Sequence, residues 1–166
     1  RRGKGPAQGR QRAVSGDPLR VSVLADSHGH LCDETLDFCS DADLILHAGD
    51  IGGESILDRL RALAPVVAVV GNGDPDLARR YPWEQRVEVA EARLLLCHWY
   101  DNWGRVHPKV EREIDEWDPH VLVYGHTHVA DNTRRDGRLY FNPGYSGPPG
   151  LGRPRSVGRL LVGGGG

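Results

Sequence analysis

Five short apolar runs, each followed by a polar side chain, constrain the fold of this chain more than any other feature. The runs cover residues 21–25, 44–46, 66–70, 94–97 and 121–124. They are apolar at consecutive positions rather than alternate ones, which is typical of strands buried on both faces. Helical segments at 33–40 and 54–64 separate the first three runs. The first half is therefore predicted to be a β-α-β-α-β unit with parallel strands and right-handed connections.

The second half of the chain favours hairpins. Residues 86–89 alternate and lead into 93–97, and an Asp-Gly pair at the centre of 134–138 predicts a tight turn before strand 139–141. A helix is predicted at 108–117, with a proline in its first turn. Residues 156–162 could supply a last strand. We therefore expect an α/β domain that begins with parallel strands and ends with antiparallel ones.

Composition restricts the possible partners and location. The 166 residues fit one domain, and their formal net charge of −2 lacks the excess of Lys and Arg that long nucleic acids or acidic membranes attract. The three cysteines form no CxxC pair, so no disulfide framework is expected. No apolar run approaches the roughly 20 residues of a membrane helix. We expect a cytoplasmic protein without membrane or long nucleic-acid partners, and the sequence leaves its oligomeric state open.

The composition of the chain changes along its length and divides it into three segments. Residues 1–18 are rich in Arg, Gly and Gln and are predicted to be a disordered or non-native N-terminal segment. Residues 19–162 carry the periodic elements and are predicted to form the folded domain. Residues 163–166 are all glycine, so a flexible tail is expected there.

The polar side chains after the strands have the chemistry of metal ligands. In open α/β sheets, ligands bind beyond the carboxyl ends of the strands. Carboxylates, imidazoles and an amide stand at those ends here: Asp26, His28, Asp50, Asn72, His98, His126 and His128. These donors suit divalent ions such as Mn, Fe, Zn and Ni, of which we expect Mn first. Seven ligands exceed one tetrahedral site, so two ions about 3.5–4 Å apart are predicted.

Each motif by itself is weak. A Gly-Asp pair after a strand is usually a turn, and Gly-Asn-Gly-Asp favours a turn as well. His98 alone could be a core histidine. The Gly-His-Thr-His motif is more specific than the others, because two imidazoles directly after an apolar strand are costly unless something binds them. The five motifs together, each at a strand end, favour a metal centre over coincidence.

The order and spacing of these motifs resemble the calcineurin-like metallophosphoesterase superfamily, in particular its small bacterial and archaeal phosphodiesterase branch. The resemblance runs from about Arg20 to Val162 and includes the stretch 142–144. It implies a four-layer α/β/β/α sandwich, in which two mixed β-sheets are flanked by helices. It also implies that 142–144 shapes the loop behind the site.

The resemblance divides the ligands into two sets joined by one carboxylate. It implies that the first metal is held by Asp26, His28 and His128, and the second by Asn72, His98 and His126. Asp50 would bridge the two ions. Asp50, Asn72 and His98 are thereby the predicted catalytic residues.

One position departs from the pattern of the superfamily. Many members carry His directly after the motif Asn, and the small branch often has Cys, whereas this chain has Gly73. No general acid is therefore assigned. Because acid catalysis typically contributes about 10²–10⁴-fold, aryl esters should be preferred over alkyl esters.

An aromatic segment follows His98. Trp99 stands where the superfamily usually has Gly, and Trp99, Tyr100 and Trp103 are predicted to form a substrate wall. Packing of these rings on one another is an equally good interpretation. His30 or His107 could replace the missing acid or lie at the surface. His47 could support a ligand or belong to the core, and Asp74 could orient the Asn72 loop or His98.

These residues predict a metal-dependent phosphodiesterase that acts on small phosphate esters or nucleotides through a hydroxide bridging two metals. The alternatives are a catalytically weak scaffold similar to a retromer subunit of the same superfamily, and a nuclease for short nucleic-acid ends. The retromer subunit has lost metal-site residues, whereas all seven positions are filled here.

Overall fold

A computed structural model describes residues 17–102 and 105–163, without the side chains of 101 and 102. The predicted disordered segment lies outside the described residues except for 17 and 18, and so does the glycine tail except for 163. Trp103 of the predicted substrate wall also lies outside them.

Three helices and eleven strands occur in the described part of the chain. The helices are α1 (Asp33–Cys39), α2 (Glu54–Arg61) and α3 (Pro108–Trp117). The strands are β1 (Leu19–Leu24), β2 (Leu44–Ala48), β3 (Val66–Val69), β4 (Glu84–Val89), β5 (Ala92–Cys97), β6 (Asp101–Asn102), β7 (Arg105–Val106), β8 (Val121–Val123), β9 (Asp131–Arg135), β10 (Arg138–Asn142) and β11 (Gly158–Val162). None of these helices has the length and apolar character that crossing a membrane requires.

The first sheet contains the predicted parallel unit. Its strand order is β11-β1-β2-β3, in which β1, β2 and β3 are parallel and β11 is antiparallel to β1. Helices α1 and α2 connect these strands and cover the outer face of the sheet. Helix α2 buries Ile56, Leu57 and Leu60, spaced at helical intervals, against Leu24 and Ile45 of the sheet.

The second sheet is mixed rather than antiparallel. Its order is β4-β5-β8-β10-β9, and the pairs β4–β5 and β9–β10 are antiparallel hairpins. The pairs β5–β8 and β8–β10 are parallel, so the expectation of antiparallel strands in the second half is confirmed for the two hairpins and was wrong for β8. The reason is helix α3, which returns the chain across the sheet between β5 and β8 as a crossover connection.

The main core lies between the two sheets. Val23 and Leu46 of the first sheet pack there with Leu94, Leu96 and Val123 of the second. Successive strand residues point to opposite faces. Leu24 and Leu95 therefore face the helices on the outer sides of the sandwich. Both faces of each sheet are covered, which explains the consecutive apolar residues and confirms the four-layer α/β/β/α sandwich.

Hydrogen bonds join the carboxyl ends of the central strands at one edge of the sandwich. The amide of Asp26 donates to the carbonyl of Gly49 at 3.0 Å, which links the ends of β1 and β2. The amide of Gly125 donates to the carbonyl of His98 at 3.1 Å, which links β8 and β5. The amide of His126 donates to Asp26 Oδ2 at 3.0 Å and so joins the two sheets. The polar loops of both sheets therefore meet at one place.

Candidate metal centre

The predicted ligands lie together where the polar loops meet. Two groups of side chains offer ligand atoms that all lie within 4.8 Å of one another. One group is Asp26, His28 and His128, and the other is Asp26, Asp50 and His98. We call the side chains of His28 and His128 with Asp26 the open half. We call Asn72, His98 and His126 the buried half after His98, which is buried, whereas Asn72 is exposed.

In the open half, atoms that can act as metal ligands face one another. His28 Nε2 lies 3.3 Å from His128 Nε2, and His128 Nε2 lies 3.3 Å from Asp26 Oδ1. Asp26 Oδ1 is buried and has no hydrogen-bond partner among the described residues. A buried carboxylate oxygen without a partner is costly. A cation held between these atoms would remove that cost, so the donor set fits a divalent metal.

In the buried half, His98 is fixed by the main chain. Its Nδ1 lies 2.7 Å from the carbonyl of Ala48, and since a carbonyl oxygen only accepts, Nδ1 donates. Nε2 of the neutral ring is then unprotonated, yet it lies 3.2 Å from Asn72 Oδ1 and 3.4 Å from Asp50 Oδ1. The ring of His126 lies 5.2 Å from that of His98. This half, too, presents acceptors to one another as a metal site does.

Asp50 lies between the two halves. Its Oδ1 faces His98, and its Oδ2 lies 3.8 Å from His28 Nε2. The amide of Gly73 donates to Oδ1 at 2.6 Å, which fixes the carboxylate. The carboxylate thus has one oxygen toward each half. Asp26 is a second shared carboxylate, since it belongs to both groups of ligand atoms.

Most of these side chains leave the backbone from a left-handed conformation. Positive φ angles between 45° and 69° occur at five of the seven predicted ligands: Asp26, His28, Asp50, His126 and His128. Residues other than glycine rarely adopt this region, and each costs on the order of 1 kcal/mol. Their concentration at the strand ends indicates that the loops are held in the shape that brings the ligand atoms together.

Two positions require glycine, because the backbone there passes close to the side chains of the predicted ligands. A Cβ at Gly71 would lie 2.2 Å from Asp50 Oδ1, and one at Gly49 would lie 2.7 Å from the ring of His98. A Cβ at Gly73 would lie 3.0 Å from Asp50 Oδ1, which is tight but not prohibitive. The glycines beside the motif residues therefore leave room for the ligand side chains.

Asp74 joins the loop of Asp50 to the loop of Asn72. Its buried carboxylate accepts the amides of Ile51 and Gly52 at 3.0 and 2.9 Å, and that of Gly71 at 2.9 Å. Three backbone donors of two loops are thereby satisfied by one side chain. These contacts confirm the orienting role expected for Asp74 toward the Asn72 loop.

His47 supports the loop that carries Asp26 and His28. Ser27 Oγ donates to the carbonyl of Ile51 at 2.9 Å, so the 2.8 Å contact between His47 Nε2 and Ser27 Oγ is donated by the imidazole. Complete burial lowers the pKa of His47 to about 4, which keeps the ring neutral. Both expectations for His47 hold, because it is a core residue that also fixes this loop.

The stretch 142–144 shapes the loop of His126 and His128, as the resemblance implied. The amide group of Asn142 donates to the carbonyl of Gly125 at 3.0 Å and to Thr127 Oγ1 at 3.1 Å. Its Oδ1 accepts the amide of Gly144 at 2.9 Å. The buried Asn142 therefore connects two loops behind the site.

The pKa values of the side chains in the site favour binding of a cation. Burial, and next the neighbouring Asp50, raise the pKa of Asp26 to about 8. Burial lowers the pKa of both His98 and His128 below the usual value. The protein alone thus holds neutral imidazoles and disfavours the charge on Asp26. A bound divalent ion would favour the ionised form of Asp26, and it binds imidazoles in the unprotonated form that the protein already holds.

The aromatic residues predicted as a substrate wall lie in different surroundings. The ring of Trp99 packs on His126, with centroids 4.9 Å apart. The ring of Tyr100 packs with Tyr124 and Tyr140 at 5.2 and 5.4 Å, in the cluster beneath α3. Trp99 therefore contacts a predicted ligand. Its role toward substrate stays a prediction, as does that of Tyr100.

Sequence reasoning missed three neighbours of the open half. The buried ring of Tyr145 packs on His128, with centroids 4.8 Å apart. Arg153 donates to the carbonyl of Thr127 at 3.0 Å, and Arg155 Nη1 lies 3.4 Å from His30 Nε2. The signal available in the sequence was a pair of arginines in a segment rich in glycine and proline, directly after the stretch 142–144.

Similar proteins were found by sequence in archaea and bacteria. A probable metallophosphoesterase of Methanothermobacter thermautotrophicus is 31% identical over 146 residues, which are 82% of this chain and 82% of that protein. The phosphodiesterase YfcE of Escherichia coli strain K12 is 34% identical over 114 residues, which are 63% of this chain and 58% of that protein.

Comparison with solved structures and family models gives the same assignment. Vps29 from Entamoeba histolytica, solved in complex with Zn²⁺, superposes with a TM-score of 0.73 at 22% identity and covers 88% of this chain and 87% of its own. That similarity shows the shared fold. The model of the calcineurin-like phosphoesterase superfamily domain matches residues 19–164. The earlier resemblance is thereby confirmed, and the chain belongs to the calcineurin-like phosphoesterase superfamily.

Proposed function

We propose that this chain is a phosphodiesterase that depends on two divalent metal ions and hydrolyses small phosphate esters. The observation that carries the proposal is the arrangement of facing ligand atoms around Asp50. Nitrogen faces nitrogen at 3.3 Å in the open half, and nitrogen faces oxygen at 3.2 Å in the buried half. Two such clusters that share carboxylates suit two ions better than one.

The proposed ligands follow the two halves. Asp26, His28 and His128 would hold one ion, Asn72, His98 and His126 the other, and Asp50 would contact both. Two divalent ions bound there would supply positive charge for the phosphoryl oxygens and lower the pKa of an attacking water. We propose Mn²⁺ as the native ion, with Fe, Zn or Ni as alternatives that the same ligands accept.

The side chains themselves hold and orient the reacting groups. The amide of Gly73 fixes the Asp50 carboxylate, and the Asp74 side chain holds the loop that follows Asp50. Because Asn72 Oδ1 faces His98, its amide N–H groups remain free to donate to a phosphoryl oxygen. Gly73 offers no side chain that could protonate the leaving group. Such a leaving group would take its proton from water or depart as an anion.

A second candidate function is a protein-binding scaffold. It is favoured by the fold, which is shared with Vps29 proteins of Entamoeba histolytica and Chaetomium thermophilum. Against it stand the complete set of seven polar ligands and the strained backbone that positions five of them. A surface used only for binding a partner would not need these features. We therefore rank the enzyme first, with a cytoplasmic location and small-molecule substrates as part of the proposal.

Hydrolysis of bis-(p-nitrophenyl) phosphate tests the proposal. We expect activity with added Mn²⁺, loss of activity with a chelator, and recovery when metal is restored. His98→Ala should lower the rate by at least about 10²-fold, because it removes a ligand of the buried half. His120→Ala is the matched control, since His120 is an exposed histidine whose Nδ1 contacts only the amide of Arg93. Absence of activity with Mn, Fe, Zn and Ni would overturn the enzyme and favour the scaffold.

A further inference from the structure

A cavity of about 330 Å³ adjoins the buried half of the metal centre. It lies between the start of β4, the end of β5 and the start of α3, and its walls include His98 itself. Aromatic and charged side chains complete the lining: Trp83, Glu84, Trp99, His107 and Lys109. Its volume is within the range of small-molecule sites. A group attached to a phosphate at the metal centre could therefore enter it.

Trp99 connects the cavity to the metal centre. Its indole packs on His126 at 4.9 Å, with the planes inclined by 37°, and the ring of His107 lies 6.3 Å away. The same tryptophan thus contacts a proposed ligand and lines the cavity. A flat group that enters the cavity would meet a ring already oriented by the site. Stacking on a ring of this kind tolerates any planar aromatic partner.

Polar groups also surround the cavity. Trp99 Nε1 and His107 Nδ1 are buried and make no hydrogen bond to the described residues. Lys109 Nζ and Glu84 Oε2 form an ion pair at 2.5 Å and supply a charged donor and acceptor. A purely hydrocarbon occupant would remove water from this ion pair without replacing its polar contacts. A heteroaromatic ring with nitrogen and oxygen atoms at its edge fits this lining better.

We propose that this cavity binds the base of a nucleoside phosphate ester whose phosphate lies at the metal centre. The inference deepens the proposed function and rests on it for the position of the phosphate. Trp83 and Trp99 would hold the base by stacking, and His107 would face its polar edge. The cavity is thereby a specificity site for nucleotide esters over sugar or alkyl phosphates. The aromatic residue at position 99 creates this site.

Adenosine 5′-monophosphate and ribose 5-phosphate form a matched pair of probes, because they differ only by the base. In metal-free protein, we expect the nucleotide to quench tryptophan fluorescence and to bind about tenfold more tightly than the sugar phosphate. Trp83→Leu and Trp99→Leu should each reduce this difference severalfold. Trp117→Leu is the control, since Trp117 lies on α3 against Arg86, outside the cavity.

Inhibition of bis-(p-nitrophenyl) phosphate hydrolysis by the same two compounds supplies a second readout. We expect an inhibition constant about tenfold lower for the nucleotide, with the difference reduced in Trp83→Leu, whose side chain touches no proposed ligand. Equal binding and equal inhibition by both compounds would overturn the base site while leaving the phosphodiesterase intact. Selective nucleotide binding without any hydrolysis would instead sink the proposed function and retain the site. A third outcome would also overturn the proposal. If both compounds bind equally, and if the protein dimerises with rising concentration unless Trp83 is replaced by Leu, the cavity would be a contact surface for a second copy of the chain.

Discussion

The two halves of the metal centre are built differently. In the open half, His28 has a side chain that is 36% exposed, and its ring contacts only other rings and ligand atoms. In the buried half, the side chain of His98 is 2% exposed, and its Nδ1 is fixed by the carbonyl of Ala48 at 2.7 Å. His28 is thus held by strained backbone and ring packing, whereas His98 is held by a main-chain hydrogen bond within the sandwich.

This difference follows from the strands that carry each half. His98 directly follows β5, a central strand that pairs with β4 and β8, so the ring emerges from fully paired sheet. His28 and His128 lie two residues or more beyond their strands, on loops with positive φ. We expect the buried half to keep its shape without metal and the open half to depend on metal for its shape. The carboxylates of Asp26 and Asp50 connect the two.

Substitution of the bridging carboxylate should have the largest effect. Asp50→Asn removes a charge that faces both halves, so we expect loss of both ions and a fall in activity of about 10³-fold or more. Asn72→Ala, its counterpart within the buried half, should weaken mainly one ion. Metal content by mass spectrometry separates the outcomes. An Asp50→Asn protein that retains two ions would show that the halves are not joined by Asp50, and would favour Asp26 as the shared ligand.

The rate of hydrolysis should depend on the leaving group, because position 73 has no side chain that could protonate it. Since Gly73 offers no proton donor, aryl phosphodiesters should react about 10²-fold faster than alkyl ones. The rate should rise as the pKa of the leaving phenol falls within a series of equal size. This series is the control for the aromatic cavity, because ring substituents change the pKa with little change in stacking. Equal rates on alkyl and aryl esters would mean that a side chain elsewhere, such as His30 of the open half, donates the proton.

Loss of the Asp74 contacts between the two loops should lower the free energy of unfolding more than loss of an exposed charge in the same region. Asp74→Ala leaves the amides of Ile51, Gly52 and Gly71 without their acceptor, and we expect a loss of about 3 kcal/mol in the free energy of unfolding. Asp76→Ala, an exposed residue of the same loop, should change it by less than about 0.5 kcal/mol. Urea denaturation measures both. Equal stability of the two variants would contradict the role given to Asp74.

Much of this fold could be predicted because its strands and helices have strong local signals. Helix α3 begins at Pro108 and ends at Trp117, as its proline, its spacing and Pro119 predict. The parallel pairing of β5 with β8 was missed, although a helix between two strands is the usual sign of a crossover. The short hairpin of β6 and β7 was missed too, because two-residue strands leave no periodicity to detect.

The candidate site was predictable only at its ligands. Carboxylates and imidazoles directly after strands are visible in a sequence, because the strand fixes where they lie. Tyr145 and Arg153 lie near His128 through a long segment without regular structure, so no spacing rule places them. The partnership of Ser27 with His47 depends on contact between neighbouring strands. Burial and strain likewise belong to the folded chain, since both depend on residues distant in sequence.

The last expected effect is a pH dependence that arises from the carboxylate shared by both groups of ligand atoms. The pKa of Asp26 is raised from 3.8 to about 8 in the folded, metal-free protein. Between these values the folded state holds a proton that the unfolded state has released. The free energy of unfolding therefore falls as the pH rises through this window. Asp26→Asn removes this dependence and should stabilise the metal-free protein at pH 7 by roughly 1–4 kcal/mol.

Denaturation at several pH values with a chelator isolates this effect. The difference between Asp26→Asn and the original protein should widen from pH 4 to pH 8, whereas the buried histidines contribute equally to both and cancel. Addition of Mn²⁺ should reverse the order, because the metal stabilises the original protein and the variant has lost a ligand. A variant that is less stable than the original at every pH without metal would show that the Asp26 carboxylate is stabilised by the fold alone. The open half would then resemble the buried half in keeping its shape without an ion.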